Sequence, residues 1–321
     1  MVFENKNKNF DGKKFFHSWP QAKKDFVALF KWLASRKPKK WPKKIDNNFR
    51  PLFSPDLSET DIELTFINHA TVYIRHSGIS FITDPHWGLR ASPVSFAGPQ
   101  RVCEAGAKIE ELPALDFVFV SHNHYDHLDL PSLKRLNELY HPQFLIPVGD
   151  AALMKKAGIT NFIELDWWDE VDIGHGCKAV YVPVKHWSAR GLNDRNKSLW
   201  GGFVILSPTK RLFFAGDTGY CDIFRTLSDK FGEFSVSLLP IGAYEPRWFM
   251  RDSHMNPAEA VKAHIDLKTK FSMAIHFGLW QLTDEAIDQP EKDLQAALRS
   301  SNISPEKFFV LKIGQTKILK T

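Results

Sequence analysis

The sequence predicts an α/β protein whose order of elements two mixed β-sheets covered by outer helices would accommodate, as other α/β layouts would. Three observations lead there. Short β-prone runs alternate with helical segments from Asp116 onward, a histidine and aspartate cluster follows one such run directly, and three more ligand-type residues each follow another. With 321 residues, 43% of them hydrophobic, the chain has material for a substantial core.

Residues 1–60 are rich in Lys, Pro and aromatics and read as an extension ahead of a main domain at 61–321. Phe26, Leu29, Phe30 and Leu33 fall at helical spacing, which predicts an amphipathic helix over residues 21–34. Lys31, Arg36, Lys37, Lys39, Lys40, Lys43 and Lys44 follow with no acid among them, interleaved with Trp32 and Trp41. Cations mixed with large aromatics suit an anionic membrane surface. A helix packed on the core with a solvated basic loop after it accounts for the same residues.

Residues 62–67, 71–76 and 79–83 are β-prone and joined by turn residues such as Ser77-Gly78, the pattern of antiparallel pairing. The apolar run 117–120 is then a strand, 130–140 a helix, 143–148 a strand and 150–157 a helix. Further on, 180–184, 211–216, 235–240 and 272–275 are extended and 222–231 is helical. Asn256-Pro257-Ala258-Glu259 opens another helix, with Asn as cap, Pro in the first position and an acid in the first turn.

Bulk properties narrow the setting. No apolar run approaches the roughly 18 residues that cross a bilayer, and Met1 to Lys6 carries no hydrophobic signal segment. Cys103, Cys177 and Cys221 are odd in number, widely spaced and without a C-x-x-C pair, as in a reducing compartment. The location expected is cytoplasmic and peripherally membrane-associated. The net charge of +5 is mild, so its concentration in the N-terminal arm matters more than its size.

The chemistry lies at residues 121–129, SHNHYDHLD. His122, His124, Asp126 and His127 form an H-x-H-x-D-H cluster after Phe117-Val118-Phe119-Val120, and imidazoles with a carboxylate are a donor set zinc prefers. His186, Asp217 and His276 end three later strand-like runs. Six protein ligands and a seventh that bridges suffice for two ions, each with about four or five donors including a water, the open coordination of catalytic zinc.

These residues resemble the metallo-β-lactamase superfamily, which implies an αββα sandwich with a dinuclear metal site. Asn68-His69-Ala70-Thr71-Val72, Thr83-Asp84-Pro85, Leu165-Asp166-Trp167-Trp168, 196–201 (NKSLWG), 215–220 (AGDTGY) and 241–250 (IGAYEPRWFM) are similar to the N-acyl-phosphatidylethanolamine-hydrolysing phospholipase D family. The similarity runs from about Phe16 to the C-terminal end and is most specific from Ile241 to Pro257. It implies hydrolysis of N-acyl-phosphatidylethanolamine to an N-acylethanolamine and phosphatidic acid with two zinc ions per chain. By motif position His122, His124 and His186 would hold the first ion, Asp126, His127 and His276 the second, and Asp217 both. It also implies that Tyr125 and His254 line the substrate pocket. Arg251-Asp252-Ser253 replaces a more neutral stretch just before His254.

The mechanism expected from these parts is attack on phosphorus by a hydroxide bridging the ions, oriented by Asp126, with His254 as candidate proton donor to the leaving alkoxide. Asp84 and His69 are candidates for fixing ligand orientation, because a ligating imidazole usually gives its second N–H to a carboxylate or carbonyl. Trp167, Trp168, Trp187, Trp200 and Trp248 are read first as core and second as an apolar approach for acyl chains. The partners expected are a phospholipid substrate and a membrane surface, with a homodimer left open and no nucleic acid.

Three other readings use the same scaffold. An RNA-processing phosphodiesterase would turn the basic arm to nucleic acid, against which stand the tryptophan-rich strings. An iron protein handling oxygen or nitric oxide would carry a carboxylate where His124 stands. A non-catalytic lipid-binding protein would have no need of the intact ligand set. Iron or manganese occupies similar donor sets, so zinc rests on the resemblance.

Overall fold

Apolar and polar residues alternate from Ile62 to Phe66 in the first strand, yet residues Ile62–Asn68 are buried along their whole length, so both faces of the strand are covered. The computed structural model describes residues 9–20 and 26–320. In chain order it runs α1 (Phe26–Ser35), β1 (Ile62–Asn68), β2 (Thr71–His76), β3 (Ile79–Thr83), β4 (Phe117–Phe119), α2 (Leu130–Tyr140), β5 (Gln143–Pro147), α3 (Ala151–Lys156), β6 (Phe162–Leu165) and β7 (Glu170–Gly174). Then come β8 (Cys177–Val182), β9 (Gly202–Leu206), β10 (Arg211–Phe214), α4 (Ile223–Phe231), β11 (Val236–Pro240), α5 (Arg247–Met250), α6 (Pro257–Asp266), β12 (Phe271–Ile275), α7 (Gln289–Ser300), β13 (Phe308–Phe309) and β14 (Thr316–Leu319).

Two seven-stranded sheets result, ordered β14-β1-β2-β3-β4-β5-β6 and β13-β12-β11-β10-β9-β8-β7. Each is antiparallel on one side and parallel on the other. In the first, β14, β1, β2 and β3 pair antiparallel, and β3 through β6 pair parallel. In the second, β7 through β10 pair antiparallel, and β10 through β13 pair parallel. Phenylalanines zip the inner faces together: Phe81, Phe119 and Phe203 stack in succession at 4.8 Å per step across the sandwich. Outside the first sheet, Leu133 and Leu136 of α2 and Met154 of α3 close a second core on Val118, Phe144 and Ile146. The predicted two mixed sheets with outer helices are the ones found.

Several elements escape the sequence reading. Strands β6, β7, β13 and β14 and helix α7 are short, at sheet edges or only half-buried, so their hydrophobic pattern is weak, whereas β9, buried between β8 and β10, is left out of the sequence reading despite its apolar run. The predicted antiparallel β1 to β3 unit and the capped start of α6 agree with the structure, Asn256 accepting from the Glu259 N–H and Glu259 from that of Asn256.

The described part of the arm lies on the main body. Phe15 is buried in the core, Ile45 bridges Cys103, Arg36 pairs with Asp284 at 2.8 Å, and Trp41 Nε1 donates to the Glu285 carbonyl at 2.9 Å. Trp32 of α1 stacks flat on Phe249 of α5 at 4.9 Å. The opposite face of α1 is open: Val27, Phe30 and Leu33 are 75%, 73% and 54% exposed. Residues 21–25, where the sequence places the start of this helix, lie outside the described residues. No described helix is long and apolar enough to cross a membrane.

The two sheets come into close contact at the rim beyond β4 and β10, and a glycine makes this possible. Gly216 has φ +58°, and a Cβ there would stand 2.6 Å from Ser121 Cβ. Gly216→Ala is therefore expected to cost about 2 kcal/mol or more through backbone strain and overlap. Denaturant unfolding measures it, and an unchanged midpoint would contradict this account of the rim.

Candidate metal centre

Strand geometry supplies the site. Asp84 follows β3, His122 follows β4, His186 lies just beyond β8, Asp217 follows β10 and His276 follows β12, so the run-end residues of both sheets meet at one rim. His69, Asp84 and His276 take positive φ values of 41°, 35° and 63°. For such residues the left-handed region is unfavourable, and each occupies it directly after a strand, where the turn re-aims its side chain.

All seven predicted ligands come together. His124 Nδ1 lies 2.9 Å from His122 Nε2 and 3.2 Å from His186 Nε2. Asp126 Oδ2 lies 3.4 Å from His127 Nε2 and 3.3 Å from His276 Nε2. Asp217 Oδ2 stands between the two groups, 3.2 Å from both His127 Nε2 and His276 Nε2 and 3.8 Å from His186 Nε2. His69 joins the second group itself, its Nε2 being 3.3 Å from Asp126 Oδ2.

The rings are oriented from behind. Asp84 accepts from the Ser121 N–H at 2.7 Å, the Ser121 hydroxyl at 2.5 Å and His127 Nδ1 at 2.6 Å. Ser121 Oγ in turn receives His122 Nδ1 at 2.9 Å, and the Ser253 carbonyl receives His186 Nδ1 at 3.0 Å. With the Nδ1 protons so committed, the Nε2 lone pairs of His122, His127 and His186 face the cluster. The sequence reading gives Ser121 and Ser253 no role in the site. Ser121 was findable as the residue between strand and cluster, whereas a backbone carbonyl leaves no signal in sequence.

Electrostatics divides the imidazoles. Burial first, then neighbouring imidazoles, holds His122 well below the ordinary histidine value; burial does the same for His186, and takes His124 to about 4. Burial opposes charge on His127 and His276 as well. There the carboxylates of Asp217 and Asp126 outweigh it, raising His127 well above its usual value and His276 to about 9. Those imidazoles hold both carboxyls well below the usual carboxylate range against the penalty of burial. Burial lifts Asp84 despite its donors.

A metal fits this donor set. Nitrogens 2.9 to 3.2 Å apart with converging lone pairs need a cation or protons between them, and His127 Nε2 and Asp217 Oδ1 are buried without a hydrogen-bond partner.

Around the cluster, Tyr125 has the Arg190 guanidinium 3.9 Å from its ring centre and its carbonyl 3.0 Å from His86 Nε2. Arg190 Nη1 donates to the carbonyls of Asn123 at 2.9 Å and Leu128 at 2.8 Å, clamping the ligand loop from both ends. His254 reaches the cluster, Nδ1 lying 3.7 Å from Asp217 Oδ2. The tryptophans separate. Trp167 and Trp200 are core, Trp168 and Trp248 are half-exposed, and Trp187 lies 4.3 Å from the His124 ring. Trp280, which the sequence reading leaves unassigned, packs on His69 and His86 at 4.8 and 4.5 Å.

Histidines and aspartates grouped in this way at the shared rim of two mixed sheets define a metal-dependent hydrolase. The family model of the Beta-lactamase superfamily domain matches residues 80–277. N-acyl-phosphatidylethanolamine-hydrolyzing phospholipase D 1 of Caenorhabditis elegans is 38% identical over 271 residues, covering 80% of this chain and 76% of its own length. The mitochondrial N-acyl-phosphatidylethanolamine-hydrolyzing phospholipase D of Saccharomyces cerevisiae is 33% identical over 244 residues, covering 74% of this chain and 52% of its own. In fold the chain is similar to Igni18, a metallo hydrolase of the archaeon Ignicoccus hospitalis, with a TM-score of 0.62 at 17% identity over 82% of this chain and 100% of that one. The chain belongs to the N-acyl-phosphatidylethanolamine-hydrolysing phospholipase D family of the β-lactamase superfamily.

Asp84→Asn should lower metal affinity by about 10- to 100-fold, since it unfixes His127 and, through Ser121, His122. Competition with a chromophoric chelator reads this, and unchanged affinity would refute the role. Metal uptake at pH 7 should expel protons from His127 and His276, and apparent affinity should rise with pH up to about 9. In chelator-stripped protein, charge on His276 stabilises the fold fully below its ordinary value of 6.5 and is lost as pH rises through about 9. Calorimetry in buffers of different ionisation enthalpy counts the protons, and none released at pH 7 would contradict the assignment.

Proposed function

We propose that this protein is a zinc-dependent phosphodiesterase of the phospholipase D type that hydrolyses N-acyl-phosphatidylethanolamine to an N-acylethanolamine and phosphatidic acid. The observation that carries the reading is Asp217 Oδ2 standing between two groups of ligand atoms, with His254 beside them. The kinship with phospholipases D supports the substrate. His122, His124 and His186 would hold one zinc, Asp126, His127 and His276 a second, and Asp217 both. Zinc bound there would bring the pKa of water far down, toward about 7, and neutralise charge on phosphoryl oxygens.

The remaining work falls to side chains. Asp126, whose carboxyl stays ionised well below the usual carboxylate range, accepts a hydrogen bond from the attacking hydroxide and aims it at phosphorus, while the bond from phosphorus to the ethanolamide oxygen breaks. His254 passes a proton to that oxygen, which would otherwise leave as a strongly basic alkoxide. Tyr125, backed by Arg190, lines the approach of the headgroup. The exposed Val27, Phe30 and Leu33 of α1, with Lys31 and the basic stretch after it, seat the protein on an anionic bilayer so that substrate is drawn from the lipid plane.

Zinc-loaded protein incubated with vesicles containing N-acyl-phosphatidylethanolamine should release N-acylethanolamine, detected by mass spectrometry, while an RNA oligonucleotide stays intact. Chelation should abolish the release and added zinc restore it. His254→Ala should lower kcat by about a hundredfold or more. No N-acylethanolamine from a fully loaded sample would overturn the substrate, and near wild-type turnover by His254→Ala would remove that residue from the chemistry.

A further inference from the structure

Arg195 lies on the connection between β8 and β9, and its guanidinium is 4.1 Å from the centre of the Trp187 ring, which itself lies 4.3 Å from the His124 imidazole. Its charge is felt at His124. Other cations near the cluster are already spoken for. Arg190 is committed to the Asn123 and Leu128 carbonyls, and Lys185 pairs with Asp252 at 3.0 Å. Asp194, the acid next in sequence, has its carboxylate oxygens on the N–H groups of Arg190 and Gly191. Among the described residues no carboxylate pairs with Arg195, although it is partly buried. An arginine is always charged, and one held against an aromatic face without an anion keeps its planar fork of N–H donors for something else.

We propose that Arg195 is a specificity residue that binds a phosphoryl oxygen of the substrate and, more tightly, the phosphate monoester left after hydrolysis. This rests on the phosphodiesterase reading for the substrate, but the anion site can be tested without it. Held over the Trp187 ring, which itself flanks His124, the guanidinium stands one aromatic ring away from the group formed by His122, His124 and His186, on a side from which it can reach an oxygen of an anion on the cluster. A phosphate monoester offers two charges to the fork where a diester offers one, so Arg195 favours retention of product as well as capture of substrate.

The test compares wild type, Arg195→Gln and Arg195→Lys at equal metal content and equal melting temperature. Calorimetry with inorganic phosphate and sedimentation with phosphatidylcholine vesicles, with and without phosphatidic acid, read binding. Arg195→Gln should weaken phosphate binding roughly tenfold and raise KM for the lipid by a similar factor, with kcat little changed. Arg195→Lys should fall between, because it keeps the charge and loses the fork. Loss on inorganic phosphate and on phosphatidate alike marks the phosphoryl group as the ligand, and loss on vesicles alone ties it to the lipid headgroup. Equal affinity of all three proteins for both probes would overturn the proposal and leave the stack on Trp187 purely structural. Weakened phosphate binding by Arg195→Gln alongside a wild type inactive on the lipid would keep the anion site and remove the substrate.

Discussion

Two carboxylates held out of water at the meeting of two sheets, Asp126 and Asp217, set the terms for the rest of the molecule. Their side chains are 14% and 2% exposed, and an ionised carboxylate so placed needs positive charge within a few ångströms. The protein answers with imidazoles. His127 and His276 can take protons to balance the acids, while His122, His124 and His186 are kept as neutral lone pairs. A divalent cation satisfies both demands at once, because it neutralises the carboxylates and occupies the lone pairs. Other features of the rim serve that balance: the glycine that lets the sheets close, the Asp84 network that fixes tautomers, and the arginine that clamps the ligand loop.

Much of this was legible in the sequence for a local reason. His122, His124, Asp126 and His127 lie within one turn after a strand, and His186, Asp217 and His276 each end an apolar run, so chemistry and position appear in the same few letters. Asp84 could be suggested in the same way. His69 was read as support for the ligands, and only its left-handed turn brings its Nε2 to Asp126. Ser121, the Ser253 carbonyl, Arg190 and Trp280 depend on contacts between distant segments, which no spacing encodes. Likewise β13 and β14 are brief, and it is their partners β12 and β1 that define them.

The N-terminal arm has an inner and an outer face. Trp32, Arg36 and Trp41 dock on Phe249, Asp284 and Glu285, while Val27, Phe30 and Leu33 point away. An amphipathic helix normally spends its apolar stripe on its own core. Here the inward contacts come largely from aromatic and polar groups, which leaves the aliphatic stripe outward. The Trp32–Phe249 stack joins α1 to α5, four residues before His254, so the outward face and the metal centre are close neighbours along the chain's fold.

The left-handed turns at His69, Asp84 and His276 carry a consequence for how such a protein ages in evolution. Each sits in a left-handed turn that glycine would adopt without strain, at a cost of order 1–3 kcal/mol. Descendants freed from selection for chemistry would gain robustness by shedding these residues first, since drift toward glycine relaxes the scaffold. Loss of ligands at strand ends, with the sheets left intact, is then the natural route by which this architecture passes from enzyme to inert binder.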